Sequence, residues 1–180
     1  VTRKSLLSFG GCVMSAADRM MQYSQAMFNR MRSVKAREAN DATPSGELAG
    51  LRGHKYCLVV TYRRRGEAVP TPVWFGIGDG VIYFRSLPHN GKTKRIRATP
   101  EVRIAPCTSR GRPLGPPFVG VATIVPPAQE AEAERCISAN RNFMRRLYNP
   151  LVAQRVEGVY VMVAPAPKRV AASGRSKPKV

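Results

Sequence analysis

The chain has 180 residues and a mass of 19.8 kDa, enough for one domain with an ordinary core, and its 43% hydrophobic content argues against wholesale disorder. Lys and Arg total 30 against 11 Asp and Glu; the resulting charge of +19 and pI near 10.9 suit a polyanion, an anionic lipid, or a ligand bearing phosphate or carboxylate. The four cysteines (Cys12, Cys57, Cys107, Cys136) lack the close spacing of a zinc ribbon or disulfide scaffold, and no apolar run approaches the ~18–20 residues of a membrane-spanning helix.

Residues 1–14 resemble an export signal in outline, with Thr2-Arg3-Lys4 before an apolar stretch. That stretch is short and broken by Ser8, Gly10 and Gly11, so it reads more simply as a leader. Residues 15–39 read as a helix. Ser15 and Asp18 suit its start, and Met20, Tyr23, Met27, Met31 and Val34 recur along one face. Residues 40–46, Asn-Asp-Ala-Thr-Pro-Ser-Gly, have the composition of a linker.

From Lys55 the period changes to that of strands. Residues 56–62 are β-branched and aromatic. Arg63 to Glu67 reads as a hairpin turn, and 69–77 as a second strand whose two prolines place it at an edge or bulge. Gly78-Asp79-Gly80 makes a tight turn into a third strand, 81–86. Residues 92–98 suit a short basic helix that ends near Thr99-Pro100. Strands follow at 101–107 and 118–125, separated by a Gly/Pro-rich loop. A helix is predicted over 128–148, with Glu130, Glu132 and Glu134 early and Arg141, Arg145 and Arg146 late, as the helix dipole favours. The last strand is 158–164. Six short strands, mostly antiparallel, with one late helix, predict a mainly β small barrel. The chain divides into an N-terminal extension (1–46), a barrel domain (47–165) and a basic tail (166–180).

Familiar catalytic constellations find little support. The two histidines, His54 and His89, flank no nucleophile-elbow pattern. They and the scattered cysteines match no metal-ligand spacing, and paired carboxylates are sparse. No side chain is assigned a catalytic or metal-binding role. What remains is an anion site. Asn90-Gly91-Lys92-Thr93-Lys94-Arg95 puts backbone N–H groups, the helix dipole and a lysine at one point.

Several runs carry a family resemblance. They are Thr61-Tyr62-Arg63-Arg64 with Gly66, Thr71-Pro72-Val73-Trp74-Phe75, Ile82-Tyr83-Phe84-Arg85, and Gly91-Lys92-Thr93-Lys94-Arg95-Ile96-Arg97. Pro100 with Val102, Ala105-Pro106-Cys107 with Arg110-Gly111, and Gly120 with Ala122 extend them. Together, residues 55–125 resemble the split-barrel family of pyridoxamine 5'-phosphate oxidase, and within it the branch using the deazaflavin coenzyme F-420. The resemblance implies a six-stranded antiparallel split β-barrel of the FMN-binding type with flanking helices. It also implies a homodimer with the cofactor in a groove between subunits. Lys92 and Thr93 would hold the cofactor phosphate, helped by Arg85 and Ser86. Pro72, Val73 and Trp74 would flank the deazaflavin ring, and Lys94 or Arg95 would meet the coenzyme's acidic polyglutamate tail. The segment Leu87-Pro88-His89-Asn90 departs from the family's small polar approach to the Gly-Lys pair.

The implied activity is hydride transfer between reduced F-420 and a small organic substrate, with the protein orienting both. FMN is the alternative cofactor. A split barrel that binds flavin, haem or tetrapyrrole without fast turnover is the alternative function. A basic nucleic-acid-associated protein is a third reading, weakened by the absence of a recognition motif. The cofactor class implies a cytoplasmic location.

Overall fold

The computed structural model describes residues 34–140 and 158–166. The leader, most of the helix expected at 15–39, the end of the helix expected at 128–148 and most of the basic tail lie outside these residues. The described residues form seven strands: β1 (Tyr56–Tyr62), β2 (Ala68–Trp74), β3 (Gly76–Gly78), β4 (Val81–Ser86), β5 (Glu101–Cys107), β6 (Phe118–Ile124) and β7 (Val159–Pro165). They form one sheet in the order β2-β1-β5-β6-β7-β4-β3, antiparallel at every pairing. The sheet curls into a split barrel. Three α-helical segments accompany it: α1 (Glu38–Asp41), α2 (Gly91–Ala98) and α3 (Glu130–Ala139).

The strand predicted at 69–77 is in fact two. It breaks at Phe75, and its halves lie at opposite edges of the sheet, so the chain turns a corner there. The break has two local causes. Phe75 is 1% exposed, its side chain taken by the core. Gly76 sits so close to α3 that a Cβ would stand 2.1 Å from the Cys136 carbonyl, a contact only glycine avoids. The prolines of β2 read correctly, because β2 is the outermost strand and a proline there costs the sheet no interior ladder bond. The β3–β4 turn also reads correctly. Asp79 (φ 49°) and Gly80 (φ 76°) are both left-handed, as a two-residue primed turn requires.

Alternation along the strands sorts the core into three clusters. Cys57, Val59, Val73, Phe75, Ile82, Phe84, Val102, Ile104, Val161 and Val163 fill the barrel interior, closed at one end by Ile96 of α2. On the outer face of β1 and β5, Leu58, Val60, Ala105 and Cys107 are covered by Ala36 and Ala39. On the outer face near β4, Tyr83 packs with Val125 and with Ala133 and Ile137 of α3.

The stretch with linker composition is bound to the barrel. Arg103 donates to the carbonyls of Asn40 and Ala42, and the Tyr62 hydroxyl donates to Asn40 Oδ1 at 3.2 Å. The Gly46 N–H donates to Pro117 O at 2.9 Å.

Candidate anion and cofactor site

The helix α2 starts where its sequence predicts. Asn90 is the N-cap, and its Oδ1 accepts from Thr93 N at 2.8 Å. Asn90 Nδ2 donates to Ser86 Oγ at 2.9 Å, which ties the cap to the end of β4. Thr93 Oγ1 lies 2.8 Å from Leu87 O and 3.0 Å from Ser86 Oγ. A carbonyl only accepts, so the Thr93 proton goes to Leu87, and the Ser86 proton is left for Thr93. Both hydroxyls are buried and their protons are used internally. They brace the helix start.

The cationic groups at this end are Lys92 and Arg95. Lys92 is 8% exposed, and its Nζ sits 4.9 Å from the centroid of the Phe84 ring, directed toward the barrel interior. Arg95 bends back to β1, where its Nε donates to Thr61 Oγ1 at 2.8 Å. Its guanidinium also passes over Gly91, where a Cβ would stand 2.8 Å from Nη1. A side chain at position 91 would displace the flexible end of Arg95 from this position. The run from Ser86 to Ala98 contains no acidic residue.

The other candidate residues lie elsewhere. Val73 points into the core, and Pro72 and Trp74 project from the opposite face of β2. Arg85 alternates with Ser86, so it faces outward, stacked 5.8 Å from the Tyr160 ring and against Gly158. Lys94 is exposed on the outer side of α2. One chain thus gathers Ser86, Lys92, Thr93 and Arg95, and leaves Arg85, Lys94 and the Pro72–Trp74 pair apart from them. Thr61 is not among the site residues read from the sequence, although its hydroxyl holds Arg95. Thr61 had one usable signal: it is the sole aliphatic-sized hydroxyl in an otherwise apolar and aromatic strand.

Several thiols and phenols of the barrel are shifted mainly by burial. Burial pushes the Cys57 thiol well up; a Cys107 thiolate would push it further, and the Lys92 ammonium opposes this. Burial lifts Cys107 to about 12. Tyr160 is also lifted to about 12, first by burial and then by its 2.9 Å hydrogen bond to Glu134. These buried thiols are poor nucleophiles near neutral pH.

The donor set at α2 suits a phosphate. It offers one ammonium, one guanidinium and a helix N-terminus, with no competing carboxylate in the Ser86–Ala98 run. Pro72 and Trp74, which the resemblance places beside the ring, are across the sheet from it.

No protein-family model matches the sequence, and no curated protein matches it. Solved structures match it in shape. The conserved hypothetical protein Rv2991 of Mycobacterium tuberculosis matches with a TM-score of 0.51 and 17% identity, over 76% of this chain and 86% of that one. An F-420 reductase matches with a TM-score of 0.48 and 22% identity, over 69% of this chain and 97% of that one. HutZ, the haem storage protein of Vibrio cholerae, matches with a TM-score of 0.49 and 12% identity, over 66% and 87%. Likeness at such identity speaks to architecture alone. With its curled seven-stranded antiparallel sheet, this chain has the split-barrel fold of the pyridoxamine 5'-phosphate oxidase type.

Proposed function

We propose that the chain is a deazaflavin-dependent oxidoreductase that moves a hydride between coenzyme F-420 and a small unsaturated or conjugated organic substrate. The observation that carries this reading is the braced cationic end of the barrel. Asn90, Ser86 and Thr93 fix the start of α2, and Thr61 fixes Arg95 across it. Of the two runs whose combination resembles the deazaflavin branch, Thr71–Trp74 and Gly91–Arg95, the second builds this end.

In this reading Lys92 and Arg95 hold the cofactor phosphate, and Ser86 and Thr93 position the helix that presents them. Lys94, on the outer side, meets the polyglutamate tail. Pro72 and Trp74 face away from Lys92, so they flank the ring of a cofactor whose phosphate is held by another copy of the chain. That division is the reason to propose a homodimer with the cofactor in the groove between copies. The bound cofactor supplies the hydride; this chain's side chains bind, orient and exclude water. FMN would use the same phosphate site and is the competing cofactor.

The test is a fluorescence titration of the purified full chain with oxidised and reduced F-420 and with FMN, at low and at physiological salt. Saturable binding of one F-420 per subunit that survives physiological salt supports the reading. Binding of FMN alone moves the cofactor and keeps the site. Binding of neither sinks the proposal and leaves nucleic acid as the leading polyanion, since contacts to phosphate backbones fade steeply with salt.

A further inference from the structure

We propose that Thr61 is a positioning residue for anion binding: its hydroxyl sets the pose in which Arg95 meets a phosphate at the start of α2. Thr61 follows Cys57 and Val59 in the row of β1 that faces the barrel interior, and it is fully buried. The strand gains nothing from a hydroxyl there. Valine has the same shape, fits a strand as well, and brings no polar atom to bury.

The hydroxyl is explained by its partners. Thr61 Oγ1 donates to the carbonyl of Val69, the residue opposite it on β2, at 3.3 Å. It accepts from Arg95 Nε at 2.8 Å. A carbonyl only accepts and a guanidinium only donates, so the single hydroxyl proton goes to Val69 and a lone pair faces Arg95. The bond to Val69 is long. The bond from Arg95 is short and charge-assisted, so it is the stronger of the two.

A guanidinium is planar, so holding its Nε on β1 also decides where its far end lies. Nη1 reaches Gly91, the first residue of α2, where a Cβ would stand 2.8 Å from it. That is the positive end of the helix, beside buried Lys92. An untethered arginine samples many rotamers and loses that freedom when it grips an anion. One already tethered by threonine has lost it beforehand, and binding is tighter by that amount. That the anion is the cofactor phosphate rests on the deazaflavin reading; the tethering of Arg95 does not.

The experiment titrates the purified full chain with F-420 and FMN, read by cofactor fluorescence, and with inorganic pyrophosphate, read by calorimetry. Thr61→Val keeps the shape and removes the acceptor. It should weaken these phosphate-bearing ligands about tenfold or more, whereas Thr61→Ser should keep most of the native affinity. In an Arg95→Ala background Thr61→Val should cost nothing further, because a residue that acts through Arg95 has no effect once the arginine is gone. Unchanged affinity in Thr61→Val overturns the proposal. A loss that adds in full to that of Arg95→Ala also overturns it, and makes Thr61 a support of the barrel wall. A chain that takes pyrophosphate and neither cofactor refutes the deazaflavin reading alone: weaker pyrophosphate binding in Thr61→Val then still supports the tether, and equal binding overturns it. A chain that takes none of the three overturns both.

Discussion

Asn140 donates its side-chain amide to the carbonyl of Phe75 at 2.9 Å and to that of His54 at 3.0 Å. Phe75 is the single residue between β2 and β3, and His54 precedes β1. One amide at the end of α3 thus ties the barrel's corner to its first strand. Asn140→Ala leaves two partly buried carbonyls without this donor, and each such loss costs about 1–3 kcal/mol. The expected outcome is a drop in the thermal midpoint of roughly 5 °C or more, read by calorimetry. Asn140→Asp, which keeps the shape and removes the donor, should do at least as much harm. A midpoint unchanged by both variants would show that the corner is held by packing alone.

The two lysines of α2 should separate cleanly in binding. Lys92 is buried at the helix start, and Lys94 is exposed on the far side. Lys92→Ala should weaken F-420 or FMN binding by roughly 1.5–3 kcal/mol, the range for a charge-assisted hydrogen bond. Lys94→Ala should cost under about 1 kcal/mol, and that small effect should vanish at high salt. Equal effects of the two variants in a fluorescence titration would remove Lys92 from its special place.

Much of this fold was readable because its signals are local. The prolines of β2, the Asp79-Gly80 turn and the Asn90 cap each act within a few residues, and the structure bears each one out. The break at Phe75 was not readable, because its cause is α3, more than fifty residues later, pressing on Gly76. The same limit applies to the site. Ser86, Lys92 and Thr93 are neighbours through one loop and one helix turn. The separation of Arg85 from Ser86 follows from strand alternation, which the sequence did contain. The Arg95–Thr61 bond spans 34 residues and depends on how α2 closes the barrel. It required the structure.

The N-terminal segment gives a prediction about where the folded unit begins. Ala36 and Ala39 are each 1% exposed and cover Leu58, Val60, Ala105 and Cys107. A chain starting at residue 34 keeps this cover. A chain starting at residue 47 exposes that cluster and leaves Arg103 without the carbonyls of Asn40 and Ala42. Apolar area returned to water costs about 25 cal/mol per Å². The second truncation should therefore melt well below the first, by several degrees or more in a side-by-side thermal scan. Ala39→Glu in the full chain should behave like the longer truncation, because it forces a charge against the same apolar face. Equal midpoints for both truncations would make the segment an accessory to an independent barrel.

Alkaline pH should weaken this fold. Cys107 titrates near 12 in the folded chain because it is buried, against 9.0 when free. Tyr160 also titrates near 12, held up by burial and by its hydrogen bond to Glu134, against 10.0 when free. Cys57, Tyr62 and Tyr83 are raised in the same direction, each chiefly by burial. Each group is neutral when protonated. Between its unfolded and folded values, the unfolded chain has released the proton and the native chain still holds it. The unfolded state then binds fewer protons, so stability falls as pH rises through that window. For Cys107 the window opens near pH 9 and extends to about 12, with a limiting slope of about 1.4 kcal/mol per pH unit. Thermal midpoints measured from pH 8 to 11 should decline steadily. Cys107→Ala should flatten the decline from about pH 9 upward, and Tyr160→Phe should flatten it only above about pH 10. A decline equally steep in both variants would assign the alkaline sensitivity to other groups.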